Sequence, residues 1–405
     1  MFFPPVSGGR ILIYNHVRLL SKFYEVEIVT PDSKDDSPNF PDQGLHAIGK
    51  VHYVKFPNQQ LMKKPESWGY MLRHYPKAIL ARYPIVHIYD FYAHPDVQKL
   101  IKDDFDVIQL NQSWYYHPEL KHRRGKLLLV SQNYEYEYWR GMAKALFHQK
   151  EYIRGVSYWL GSGKIFHQEQ EAMGEADGVL ALSERECRIF NEVYRLKGKC
   201  HAVNPGIDIS SCRESQRLDT PSDTKKTLDL IYVGSLNAPQ NADGLISFIK
   251  EIYPILKKLS PFSCRLILVG GNPVAALQKL AKEDPSIVLT GLVDDVKPWI
   301  KKSDIYIVPL KHGSGIRFKI MEAMAMGKPV ISTRKGAEGL DVEGAGVIIV
   351  DKFQDFVEAI LSLTKDRKLL LQMEQTNIDF ANKNFDCEKI FHDKILPIYR
   401  AMINT

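Results

Sequence analysis

Between positions 313 and 322 the chain reads Gly-Ser-Gly-Ile-Arg-Phe-Lys-Ile-Met-Glu. Gly313, Ser314 and Gly315 are small, and a helical pattern begins near Ile316, so backbone N–H groups at a helix N-terminus can approach an anion. Arg317 and Lys319 add mobile positive charge where a diphosphate would rest. Glu322 falls three residues beyond Lys319, on the same helical face, and its carboxylate can accept two hydrogen bonds from a ribose diol. The same spacing also fits a solvated helix carrying a Lys319–Glu322 pair, and the spacing alone does not separate the two. Metal chemistry has less support. No Asp-x-Asp stands at a strand end, and the five cysteines show neither a Cys-x-x-Cys spacing nor histidines at ligand intervals.

Such a site needs strands that end in its loops, and the second half of the chain supplies them. Apolar runs at 228–236, 265–271, 286–293 and 304–310 alternate with amphipathic segments, as do later runs through 333 and 352. Strands without polar alternation, separated by helices, indicate a parallel sheet covered on both faces. The first half is similar but less regular, with strand-like runs at 24–31, 106–111, 126–133 and 177–183. A long aromatic-rich helical stretch fills 134–176. The polar segment 213–227 reads as a linker. The expected fold class is therefore α/β, with two Rossmann-like parallel-sheet domains. Ligands of open α/β sheets bind outside the carboxyl ends of the strands, so a cleft between two such ends is the expected binding place.

Bulk composition agrees. A chain of 405 residues is long enough for two domains, and 44% hydrophobic with 25% charged residues is ordinary for a globular protein. The net charge of +6 is spread along the chain, which argues against a nucleic-acid binder. Scattered, odd-numbered cysteines fit a reducing compartment. With no membrane-spanning run and no signal peptide at MFFPPVSGGR, a cytoplasmic location is expected.

The segment around Glu322 resembles the donor-binding signature of the retaining glycosyltransferases of family 4, whose fold is GT-B. Glu322, Ala323-Met324-Ala325 and Gly327-Lys328-Pro329-Val330 match the second half of that signature. The resemblance implies that Glu322 grips the nucleotide ribose, and that Arg317 and Lys319 serve the diphosphate. Where the family places a first glutamate on the donor sugar, this chain has Ser314. YVGSLNAPQNADGL (232–245) resembles the family's first C-domain strand and turn, but Ser235 and Asn241 stand where two basic residues often hold phosphates. Gly234 and Ser235 also suit a plain strand-end turn. Backbone near Leu292 and Val293 corresponds to the turn that commonly reads the base.

In the first half, Gly8 and Gly9 resemble the Gly-Gly loop that approaches the donor phosphates, although paired glycines are common in turns generally. SQNYEYEYWR (131–140) resembles a His-Asn-x-Glu-Tyr-Glu segment with Gln132 in place of His, or it is aromatic core. His87, His94 and His117 read as ordinary histidines. The resemblance implies domains at 1–215 (acceptor side) and 216–378 (donor side), with 379–405 returning to the first domain. It also implies hexose transfer from a UDP- or GDP-sugar to a glycan or lipid-linked hydroxyl, with retention, without metal or other cofactor, the leaving phosphate taking the proton. The competing readings are a non-catalytic sugar-nucleotide-binding subunit and, from architecture alone, a nicotinamide-dependent oxidoreductase.

Two further expectations follow. Lys63, Lys64, Arg73, Lys77 and Arg82 are interleaved with Trp68, Tyr70, Leu72, Tyr75 and Tyr83, a mixture suited to an anionic membrane surface or to a solvated basic helix. Only Phe2 and Phe3 precede Pro4-Pro5, too few residues for a first strand, so roughly six to ten further upstream residues are expected, the length of a typical strand.

Overall fold

The computed structural model describes residues 8–31, 43–54, 82–83, 87–148, 150–213, 227–312 and 317–404. The chain divides into two compact units, one of residues 1–140, 156–205 and 388–405, the other of 141–155 and 206–387.

In the first unit, β1 (Glu27–Pro31) and β2 (Lys50–Val54) form a parallel pair. A separate parallel sheet runs β3 (Val107–Asn111), β4 (Lys126–Ser131), β5 (Gly178–Ala181), β6 (Cys200–Ala202) in spatial order. The inner strands β4 and β5 bury nearly every side chain, which is why KLLLVS and GVLA read as unbroken apolar runs. Leu127, Leu129, Val179 and Phe190 form its core. The aromatic stretch at 134–176 folds as two helices, Glu135–His148 and Tyr152–Glu175, of which residues 141–155 group with the second unit. The buried Glu169 carboxylate caps the first of them, accepting from the Glu135 N–H at 3.1 Å and the Tyr194 hydroxyl at 2.8 Å. Burial raises the Glu169 carboxyl to about 7 despite these bonds. The C-terminal segment belongs to this unit: Phe391 stacks on Phe23 with centroids 5.9 Å apart, and the Tyr399 hydroxyl meets His16 Nε2 at 3.3 Å.

The second unit holds β7 (Thr227–Val233), β8 (Ser263–Val269), β9 (Ile287–Gly291), β10 (Ile305–Val308), β11 (Val330–Thr333) and β12 (Val347–Val350). All pair in parallel, in the order β12-β11-β10-β7-β8-β9. Both faces are covered, and Leu230, Tyr232, Phe248, Leu266, Ile307 and Phe356 lie in one apolar core. The Gly-Lys-Pro-Val motif has a structural reason. Gly327 follows the helix Phe318–Ala325 with φ +75, the left-handed turn that ends helices and favours glycine. Lys328 is fully buried, and its ammonium donates to the Lys301 and Ser303 carbonyls at 2.9 and 2.8 Å, the C-terminal end of the helix Lys297–Lys302. Pro329 then leads directly into β11.

Candidate functional site

Strand order fixes where a ligand can sit in the second unit. From β7 the chain moves outward through β8 and β9, whereas from β10 it moves through β11 to the opposite edge. β7 and β10 are neighbours, so the connections leaving their carboxyl ends diverge and leave a crevice between them, the usual ligand position in such sheets. Gly234 and Ser235 leave β7 there, and Pro309 to His312 leave β10. Topology thus delivers two segments, distant in sequence, to one place.

The side chains converge as well. The helix Phe318–Ala325 has Arg317 at its N-terminal flank and Lys319 in its first turn. Lys319 does not form the simple pair with Glu322 that its spacing allows. Its Nζ donates to the Tyr232 hydroxyl at 2.6 Å and lies 4.2 Å from that ring's centroid, so the tyrosine at the end of β7 seats the ammonium twice over. Gly234 has φ +155, and a Cβ built there would come within 2.9 Å of Lys319 Nζ. A side chain at that position would displace the lysine. Gly270, at the end of β8, is tighter still, since a Cβ there would lie 1.9 Å from the Gly234 carbonyl oxygen.

Burial dominates the electrostatics. It lowers the Lys319 ammonium to about 7; the Arg317 guanidinium pushes the same way and Glu322 opposes. Burial also raises the Glu322 carboxyl to about 7, against Lys297 and Lys319, which favour its charged form. Glu322 and Lys297 in turn act on the buried Cys212 thiol, which burial raises to about 11. Arg317, Lys319 and Glu322 thus act on one another here, with Lys297 also favouring the charged form of Glu322, and the lysine and the carboxylate are held near their titration points. An entering dianion would favour the charged lysine.

Other expected residues stand as follows. Gly313, Ser314 and Gly315, and the basic segment from Lys63 to Lys77, lie outside the described residues. The Ser235 hydroxyl donates to Asn237 at 2.5 Å, and the Asn241 amide donates to the Ser235 carbonyl at 2.9 Å, a closed turn. Leu292 is 88% exposed just beyond β9, an apolar side chain left in solvent, and Val293 is half-buried. Gly8 and Gly9 are not a loop. They open the helix Gly8–Leu20, and a Cβ on Gly9 would fall 2.3 Å from Gln132 Oε1, so a larger residue there must shift that side chain. That Gln132 oxygen accepts from the Gln112 amide at 3.0 Å. Gln112, at the end of β3, has φ +82, a strained conformation for a residue with a side chain, and accepts from the Trp114 indole N–H. His94 and His117 cap short helices, accepting from the N–H groups of Asp96 and Glu119.

Sequence reasoning missed Tyr232 and Lys297. Tyr232 sits inside a strand-like run and reads as core; only its place one residue before a strand ends, next to Gly234, marks it as a crevice residue. Lys297 lies in a segment whose only visible signal is helical.

Two α/β units built on parallel sheets match the GT-B fold. The family described as Glycosyltransferase Family 4 matches residues 6–211, and that described as Glycosyl transferases group 1 matches residues 227–366. The chain belongs to the group 1 glycosyltransferases. It is 24% identical to a 44.6 kDa protein of the cps region of Klebsiella pneumoniae, over 96% of this chain and 95% of that one. An uncharacterized glycosyltransferase of Methanocaldococcus jannaschii is 24% identical over 80% of this chain and 83% of its own length. Among solved structures, sucrose-phosphate synthase from Thermosynechococcus elongatus superposes with a TM-score of 0.67 at 16% identity, covering 98% of this chain and 94% of its own. Anabaena HepE in complex with UDP and glucose superposes with a TM-score of 0.65 at 14% identity, covering 98% and 96%.

Proposed function

We propose that this protein moves a hexose from a UDP- or GDP-sugar to a hydroxyl of a growing glycan or lipid-linked glycan, with retention of anomeric configuration and without a bound metal. The observation that carries this reading is the convergence of Lys319, Arg317, Lys297 and Glu322 on the crevice between β7 and β10. In it the diphosphate lies against Lys319, Arg317 and the N–H groups that open the helix Phe318–Ala325, and Glu322 accepts from the ribose diol. Gly313, Ser314 and Gly315 belong with the donor-binding residues, Gly234 and Ser235 line the wall of the crevice at β7, and Leu292 and Val293 face the base. As the glycosidic bond to the donor phosphate breaks, negative charge grows on the leaving diphosphate, and fixed cations stabilise it. The leaving phosphate takes the proton from the acceptor hydroxyl.

HepE, described with UDP-glucose bound, supports a nucleotide-sugar donor, and the Klebsiella relative from a cps region supports polysaccharide synthesis. The test is release of UDP or GDP from a panel of nucleotide-hexoses and glycan acceptors, with the product's anomeric configuration read by NMR. Turnover that survives chelation and retains configuration is expected. Inversion would overturn the mechanism, and binding without release would make the protein a non-catalytic nucleotide-sugar subunit.

The two titrating groups give this site a pH signature. A bound diphosphate favours the charged lysine, raising the Lys319 value from about 7, while diol donors lower that of Glu322 from about 7. About one pH unit above that point Glu322 is already ionised and Lys319 is mostly neutral, so donor binding takes up a proton. About one unit below it the lysine is already charged and the carboxyl is protonated, so binding releases one. Calorimetry in buffers of different ionisation enthalpy measures both; a nucleotide-sugar is the right ligand because its doubly esterified diphosphate does not titrate there. Lys319→Met abolishes the uptake and Glu322→Gln the release. Equal proton exchange in parent and variants would exclude both groups.

A further inference from the structure

Lys319 is only half-buried, and a long lysine stem in that situation ordinarily samples several rotamers. Tyr232 is its opposite. The ring is fully buried, and its strand β7 is paired with β8 on one side and β10 on the other, so it cannot follow the lysine. The lysine therefore comes to the ring, with Nζ 2.6 Å from the hydroxyl and 4.2 Å from the ring centroid. Among the described residues neither the Tyr232 hydroxyl nor Nζ has another hydrogen-bond partner. Burial pushes the Tyr232 phenol well above its ordinary range, so the hydroxyl stays neutral. The neighbouring phenol behaves differently: the Tyr306 hydroxyl, on β10, turns to the Val233 carbonyl at 3.5 Å. The other groups around the ammonium are Arg317 at the helix flank and Glu322 one turn on, and Glu322 in turn interacts with Lys297 and Cys212.

We propose that Tyr232 is a positioning residue for sugar transfer, holding the Lys319 ammonium in place for the leaving diphosphate and giving that side chain a partner in either protonation state. The proposal rests on the donor reading above and adds a residue that acts through Lys319. A neutral hydroxyl both accepts and donates. Facing the ammonium it accepts, and the other N–H groups of Nζ remain for the diphosphate. Facing the neutral amine it donates to the nitrogen, so neither buried group is orphaned. The bond to the charged form is the stronger of the two, so the hydroxyl favours the ammonium. A cation already seated needs no rearrangement as charge grows on the leaving group.

Tyr232→Phe keeps the ring and removes the hydroxyl. In the protein without donor, the Lys319 midpoint, followed by NMR of labelled lysine, should fall from about 7 by about one pH unit. Tyr306→Phe should leave it unmoved. Turnover of a nucleotide-hexose by Tyr232→Phe should drop roughly tenfold, and the falling limb of kcat/KM with pH should move down with the lysine midpoint. A packing role would lower rates at every pH and leave that limb in place. In a Lys319→Met background the Tyr232→Phe change should alter donor affinity and turnover no further. An unmoved lysine midpoint, an unmoved limb or additive effects, in a protein that still binds a nucleotide-sugar, would overturn the role of Tyr232 and leave the donor reading standing. A parent that binds no nucleotide-sugar would overturn both.

Discussion

Replacing Arg317 and Lys319 together with alanine is expected to lower kcat/KM for sugar transfer by about a thousand-fold, near 4 kcal/mol of transition-state stabilisation. The size follows from what else is available. Ser235 and Asn241, on the β7 side, are bound to one another's turn and carry no charge. Lys297 also acts here, and its influence falls on Glu322 and Cys212. Lys319 by contrast is half-buried against Tyr232, where a charge interaction is screened less than at the surface. Loss of one fixed donor to a developing anion commonly costs a hundred-fold or more, and the pair acts on one leaving group, so roughly a thousand-fold is a conservative expectation. Steady-state kinetics on the double variant measures it. Lys279→Ala with Lys282→Ala, on an exposed helix of the same unit, is the control and should leave turnover within about twofold, as surface charges contribute little. Near-normal turnover in the double variant would remove both residues from the site.

Glu322→Gln is expected to weaken donor binding by about ten- to a hundred-fold, the worth of one to two charge-assisted hydrogen bonds of roughly 1.5–3 kcal/mol each, partly offset by the amide oxygen that remains. The deficit should depend on pH. Because burial raises this carboxyl to about 7, the parent's side chain is largely protonated below neutrality and resembles glutamine there. Above neutrality it is a carboxylate, and the gap between parent and variant widens to its full size. A deficit constant across that range would assign Glu322 a packing role. Calorimetric dissociation constants on either side of neutrality distinguish the two.

How much of this could be read from the residues depends on the range of the interactions involved. Strands β7, β8 and β10 were visible because burial on both faces removes polar alternation and leaves unbroken apolar runs. Glu322 and the glycine that ends its helix were visible because their spacing is local. Pairing between distant segments was not. Nothing near Lys319 in sequence indicates that its ammonium settles on Tyr232, 87 residues earlier, since the strand order β10-β7 brings them together. Gly8 and Gly9 misled for a related reason. Glycine pairs signal turns because of their φ freedom, but here Gly9 sits inside a helix and is small because Gln132 crosses it.

The central claim, that the crevice between β7 and β10 holds a nucleotide-sugar through Arg317 and Lys319, is tested most directly by calorimetric titration. UDP-hexoses, GDP-hexoses and NAD should be titrated into the parent and into the Arg317→Ala, Lys319→Ala double variant. The account predicts saturable one-to-one binding of a nucleotide-sugar by the parent, no response to NAD, and loss of that binding in a double variant whose melting temperature is unchanged. Saturable binding of NAD, or equal nucleotide-sugar affinity in parent and double variant, would contradict it.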